Sequence, residues 1–537
     1  MANRKQYLKK MSRIAKLACL FLVFVVVWPL GCATPQPFVI ALSDNIGSID
    51  PLGARAVDAA SERVRVLIFN SLVKKKNGES DYIGELASDI KRSSDDLTYT
   101  FSLRDGIKFH DGRPFTSADA KYTLDLVLSS NFAKSASFYE LTGNQRRSYI
   151  KSVEAPDART LVITTTEPST GLLSSLIPIS IIPKDSYATQ KVHPIGTGPF
   201  KFKGYDSVQQ VLDVEANNEY WDGPPKIPVL RVRVISDMNA LQAELRSGRV
   251  DLAPLPTSLS PDAVQLLEND LNLQVLKSKG SNINLLTFNT THAPLDDVRV
   301  RQAIAYALDR ERMIHELILD RAIIAHSILP EECWAYSSGQ TYSFDPATAK
   351  RLLVEAGLSG PDGDGQQMRF EKPLVLKVAG NSIASRDCAG VIQHYLKNVG
   401  IPVEIDIAEL NTLIDDLRRG NFDMFYGQWV GGNQDPVFYK DLFASSEIPT
   451  ETRAGHNRSR YVNQRVDALI GDAVKTFDHD NAKVLYAEIQ DIVSRELPIF
   501  PLWYQGNVVI AKKRVGNIKI DPSGDWSFVK DLTLQRN

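Results

Sequence analysis

The sequence predicts an α/β protein built from more than one domain. Three observations lead there. Helix-period segments alternate with short strand-like runs, each joined through a glycine stop, as in "DCAGVIQHYLKNVGIPVEIDI" and "IDDLRRGNFDMFYGQWV". That order implies βα-type crossovers. The 537 residues exceed what a single core accommodates, so two or three domains are expected. The composition, 43% hydrophobic and 23% charged, is that of a folded chain, not a disordered one.

The N-terminus comes first. Arg4, Lys5, Lys9, Lys10, Arg13 and Lys16 precede an apolar run from Leu17 to Leu30. The run is too short for a comfortable membrane span and fits the core of a signal peptide. Cys32 follows Gly31 and precedes a polar, Pro-containing tether. This resembles a bacterial lipoprotein signal, with Pro29 standing where an aliphatic residue is usual. Residues 1–31 are expected to be the signal peptide and Cys32 the lipidated first residue; an uncleaved anchor is the alternative. Either leaves the rest of the chain exported and held at a membrane. Without that segment, 56 Lys and Arg remain of 62 against 64 Asp and Glu, a formal charge of about −8. A mildly acidic chain lacks the basic footprint of a nucleic-acid binder. Beyond the tether only Cys333 and Cys388 remain. Export permits them to pair, and two buried free thiols are an equal alternative.

"PFVIALSDNIGSIDP" is a short strand closed by a turn. "ASERVRVLIFNSLV" has helical spacing, with Val64, Leu67, Ile68 and Leu72 on one face. "LTYTFSLRDGIKF" alternates Leu97, Tyr99, Phe101 and Leu103 with polar residues, a half-buried strand ended at Asp105-Gly106. "FTSADAKYTLDLVL" starts a helix, with Thr116 as N-cap and Asp119 completing a capping box. "DVRVRQAIAYALDRERMIHELI" places Val300, Ile304, Ala307 and Leu308 on one face. "FDPATAKRLLVEAGL" is a helix capped by Asp345, with Pro346 in its first turn and Gly357 at its end. "GLSGPDGDGQQ" is an exposed turn: Asp362-x-Asp364-Gly365 lacks the ligand-rich loop that calcium needs.

Catalytic and metal signatures are missing. There is no H-E-x-x-H, no C-x-x-C, no phosphate loop and no G-x-S-x-G elbow. "GTGPFK" lacks the third glycine and following helix of a dinucleotide site. A binding protein is therefore expected over an enzyme, with no cofactor and no metal.

Several segments together resemble the family 5 extracellular solute-binding proteins, the peptide and nickel receptors of bacterial ABC importers. The carriers, in order, are "LTYTFSLRDGIKFHDGRPFTSADAKYTLD", "PIGTGPFKF", "NNEYW", "ALQAELRSGRVDLAPLP", "LLTFNTTHAPLDDVRVRQAIAYALDRERMI", "FDPATAKRLLVEAGL" and "LPIFPLWY". The resemblance implies a bilobal, type II periplasmic-binding-protein-like fold with an extra domain and two hinge strands. Lobe I would comprise 32–68, 193–288 and 500–537, the extra domain 69–192, and the second lobe 289–499. "LTFNT" and "PIFPLWY" would be the hinges, closing the lobes around solute.

The resemblance also implies site residues. Arg386 in "ASRDCAGVIQHYL" stands where short-peptide receptors hold the ligand carboxylate, a role suited to a guanidinium fork. In "YGQWVGGNQDP", Trp429 keeps the aromatic of the amine pocket. Gly432 occupies the place of the amine-binding Asp, and Asn433 follows. Asp435 and Asp423 are nearby acids read as structural. Arg55, in "GARAV", aligns with a ligand-facing loop of lobe I. Trp503 and Tyr504 offer an aromatic wall, with hinge-core packing as the alternative. The expected function is a monomeric, lipid-anchored receptor on the periplasmic or cell-surface side, delivering a small peptide or peptide-like solute to an ABC permease. The alternatives are a receptor for a non-peptide anionic ligand, such as a metal chelate or cell-wall fragment, and an exported hydrolase.

Overall fold

The computed structural model describes residues 36–53, 58–76, 81–142, 145–358, 370–380, 382–430, 435–450 and 455–535. From Phe38 onward the chain forms one compact unit. Three larger sheets organise it.

The first sheet has seven strands, in the order Phe200–Asp206, Val211–Ala216, Val229–Val234, Phe38–Leu42, Leu252–Pro254, Asn507–Lys512 and Leu273–Ser278. "FVIAL" lies in its middle and pairs in parallel with strands on both sides. A strand covered on both faces needs a nearly continuous apolar run, and this one has it.

The second sheet has six strands, in the order Ala322–Ile324, Ile499–Gln505, Ile283–Phe288, Met424–Trp429, Leu374–Ala379 and Val403–Ala408. Every residue of "INLLTF" is buried. One face packs on a cluster containing Val300, Ile304, Leu353 and Ile392, the other on one containing Phe438, Leu469 and Ile489. Cys388 belongs to the first cluster and Cys333 to the second. The two thiols therefore lie on opposite sides of a sheet, both buried and neither in a disulfide. Burial pushes the Cys388 thiol up to about 11.

The third sheet is antiparallel, in the order Ala87–Arg92, Thr98–Leu103, Thr160–Thr165 and Ile150–Asp157. Tyr99, Phe101 and Leu103 are its buried alternation. The helix Ser117–Ser129 packs beside it and carries the Thr116–Asp119 capping box. Asp345 caps the helix Pro346–Glu355, and Gly357 beyond it adopts φ 78°. The helix Ala59–Ile68 stops before Leu72, which is buried all the same. Asp362, Asp364 and Gly365 lie outside the described residues.

One boundary differs from the sequence reading. Ile283–Phe288 and Ile499–Gln505 were assigned up to Phe288 and from Phe500 to lobe I, yet both strands are hydrogen-bonded inside the second sheet. The crossings lie further along, between Ser278 and Ile283 and between Gln505 and Asn507. They run side by side: the Gln505 N–H donates to the Asn282 carbonyl at 2.8 Å. A Cβ on Gly280 would stand 2.0 Å from the Gln505 carbonyl oxygen, so only glycine permits this approach.

Candidate functional site

Leu374–Ala379, Val403–Ala408 and Met424–Trp429 run in parallel, so their carboxyl ends share one edge of the second sheet. Trp429 pairs with Ile283, and Ile283 with Tyr504, which brings the crossings to the same edge. In the first sheet, Phe38–Leu42 and Leu252–Pro254 also end toward the crossing at Asn507. Open α/β sheets place ligands outside the carboxyl ends of parallel strands. Both sheets present those ends at the crossings.

Trp429 closes its strand half-buried. Its ring meets Phe438 edge-on at 4.8 Å between centroids and His456 at 5.3 Å. The Arg458 guanidinium carbon lies 5.9 Å from the ring centroid, at the outer limit of a cation–π contact. The sequence reading missed Phe438, His456 and Arg458. The signal was there in "GHNRSRY", a polar stretch without helical or strand period between two apolar segments. Burial lowers the Arg458 pKa to about 10, and the like charge of Arg418 adds to this.

Arg386 occupies the first turn of the helix Ile383–Asn398, which begins just past the carboxyl end of Leu374–Ala379. It is exposed, and no described residue pairs with its guanidinium. A cation in a helix's first turn opposes the macrodipole, so the position is unfavourable unless an anion joins it.

The two acids read as structural are occupied. Asp423 accepts from the Val375 N–H at 2.9 Å, and its other oxygen lies 3.1 Å from His292 Nδ1. Asp435 accepts from the Tyr82 hydroxyl and from the Val437 N–H, the latter at 2.9 Å. Burial raises the Asp435 pKa, opposed by the Tyr82 hydrogen bond. Tyr82 belongs to the hairpin of Val73–Lys75 with Tyr82–Gly84, so this bond ties the extra domain to the second lobe. More contacts join them: the Thr170 N–H and hydroxyl both donate to the Val474 carbonyl, at 2.8 and 3.0 Å. Glu167 pairs with Lys475 at 2.6 Å, and the Arg92 guanidinium lies 3.7 Å over the Phe477 ring.

Trp503 is fully buried, beside Tyr426 in the core. The Tyr504 hydroxyl donates to the Ser327 and Leu329 carbonyls, both at 2.6 Å. Core packing at the crossing, the alternative to an aromatic wall, accounts for both. Arg55, Gly432, Asn433 and Cys32 lie outside the described residues. A cavity of about 20 Å³ beside Arg310, Ser327, Tyr439 and Gln490 has room for about one water. Among the described residues, no cluster of three His, Cys, Asp or Glu could hold a metal, and no helix is long and apolar enough to cross a membrane.

Residues 81–450 match the model for bacterial extracellular solute-binding proteins, family 5 Middle. The chain is 28% identical over 488 residues to the dipeptide-binding protein of Escherichia coli K12, covering 86% of this chain and 88% of that protein. It is 30% identical over 491 residues to di/tripeptide-binding protein 2 of Pseudomonas aeruginosa, covering 86% and 89%. The crystal structure of NikZ from Campylobacter jejuni in complex with Ni(L-His) matches with a TM-score of 0.79 at 25% identity, over 93% of this chain and 99% of that one. With its two hinged sheets, its extra domain and a family match spanning well over half its length, the chain belongs to the family 5 bacterial extracellular solute-binding proteins.

Proposed function

We propose that this protein is the solute receptor of an ABC importer, capturing a small peptide or peptide-like compound between its two lobes. The carrying observation is Arg386, exposed and without an ion pair to any described residue, at the edge where both sheets end and the chain crosses between them. A guanidinium placed there matches a ligand carboxylate, and removal from water on closure strengthens the pair. Solute can drive closure only by binding the closed form more tightly than the open one. The relatives named for dipeptides and di- or tripeptides support a peptide.

The setting follows from the leader. The chain is held by lipid on Cys32 to a bacterial membrane, on the periplasmic or cell-surface side, and works as a monomer handing solute to a permease. Binding and release suffice for this role, without chemistry on the solute.

A second reading, a small anionic metal chelate, is favoured by the Ni(L-His) bound to NikZ and by Arg458 beside Trp429, to which no carboxylate among the described residues is paired. Native mass spectrometry of the gently purified protein tests both. A retained mass that fragments as a short peptide supports the first, and a mass with a metal isotope pattern supports the second. A protein that retains nothing and shows no thermal shift with short peptides or chelates would sink both.

A further inference from the structure

Arg458, partly buried, contrasts with three buried cations. Lys134 pairs with Glu62 at 2.7 Å and donates to the Pro51 and Pro178 carbonyls. Arg301 donates to the carbonyls of Leu295, Glu496 and Leu497. Arg310 donates to those of Ala325, Pro501 and Tyr342. The Arg458 Nε is equally shut off from water, yet has no hydrogen-bond partner, and no carboxylate among the described residues pairs with its guanidinium. A cation removed from water without compensation is costly, and proteins supply a partner or leave room for one.

The side chain is also held in place. Its neighbours Asn457 and Ser459 are fully buried. The Asn457 amide donates to the Ala444 and Tyr461 carbonyls at 3.0 and 2.9 Å, and its oxygen accepts from the Ser459 hydroxyl at 2.8 Å. Such a loop fixes its arginine before any ligand arrives, and preorganisation lowers the cost of binding. What it is fixed against is Trp429, at the sheet edge facing the crossings.

We propose that Arg458 and Trp429 form an anion subsite, so that the solute presents a carboxylate or similar oxyanion there, not an ammonium. This rests on the solute-receptor reading and sharpens it. With Arg386 at the same sheet edge, the solute class is a dianion: an acylated peptide or peptide-like compound acidic at both ends.

Three probes of similar length test it by titration calorimetry at neutral pH: succinyl-Ala-Ala, butyryl-Ala-Ala and Ala-Ala-Ala. All carry a C-terminal carboxylate. At the other end they differ as a carboxylate, a methyl group and an ammonium. The wild type is expected to bind the succinyl compound at least about tenfold more tightly than the others, the scale of one charge-assisted contact. Arg458→Gln should erase that margin, weakening the succinyl compound by about tenfold. Arg458→Lys, a charge without the fork, should keep part of it. The wild-type ranking stands even if a variant folds poorly, which thermal unfolding would reveal. Tightest binding of Ala-Ala-Ala, unaffected by Arg458→Gln, would overturn the anion subsite and leave the peptide receptor standing. Binding of none of the three by the wild type would overturn both.

Discussion

Replacing Tyr82 by phenylalanine is expected to weaken solute binding by loosening the seam between the extra domain and the second lobe. The Tyr82 hydroxyl is a donor to the buried Asp435 carboxylate, which also accepts from the Val437 N–H and the Ser174 side chain. A hydrogen bond to a charged group contributes about 1.5–3 kcal/mol, and the surviving donors can recover a fraction of that, so the loss is about 1–3 kcal/mol. If the seam forms only when the lobes close, the whole loss falls on the closed state. That is roughly a 5- to 150-fold rise in Kd at 1.4 kcal/mol per tenfold. The pH dependence has a defined sign. Burial already raises the Asp435 pKa, and the Tyr82 bond opposes that rise. Without Tyr82 the carboxyl protonates more readily, so the gap between variant and wild type should narrow as pH falls. Calorimetry with the solute recovered from the protein measures this. An unchanged Kd, with ligand-free thermal stability lowered instead, would refute the reasoning, because it would mean the seam persists whatever the lobes do.

Other perturbations read different parts of the molecule. Arg386→Ala should weaken carboxylate-bearing peptides by roughly 10- to 100-fold; equal affinity in calorimetry would remove the carboxylate anchor. Cys32→Ser should move the protein from the membrane fraction to the soluble exported fraction; persistence at the membrane would favour an uncleaved leader. Burial lowers the His110 pKa to about 4, and its Nδ1 accepts from the Gly196 N–H at 3.3 Å while Nε2 lies 3.0 Å from the Gly198 carbonyl. A histidine held neutral contributes its full stability above the unfolded value near 6.5 and loses it as pH falls toward 4, about 3 kcal/mol across the window. His110→Gln should flatten that part of the stability–pH curve in chemical denaturation; an unchanged slope would mean His110 is free to protonate.

Much of the architecture was legible because local signals agreed with tertiary ones. Thr116 and Asp119 form their box, Asp345 caps its helix, and Tyr99, Phe101 and Leu103 turn inward. The lobe boundaries were less legible. A crossing strand looks the same in sequence whichever sheet it joins, and hydrogen bonds to Met424–Trp429, far along the chain, decide the matter. The fate of Cys333 and Cys388 was hidden for the same reason: which face of the sheet each occupies depends on packing, not spacing. At the site, sequence could nominate Trp429 and Arg386 but not their surroundings. Arg458 lies 29 residues beyond Trp429, and only the fold sets it against the ring. Trp503 shows the converse, an aromatic suited to stacking that the sheet keeps for its own core.

The order of strands in the first sheet also sets a timetable. Asn507–Lys512 sits between Leu252–Pro254 and Leu273–Ser278, which have no other bond to each other in the sheet. Until that last segment emerges from the ribosome, two inner edges stay open and the lobe lacks a finished core. Closing contacts that span more than two hundred residues is slow as well as late. For a member of an extracellular family, which must cross a membrane, a lobe that cannot be completed during synthesis remains a thread that a translocation channel can still pull.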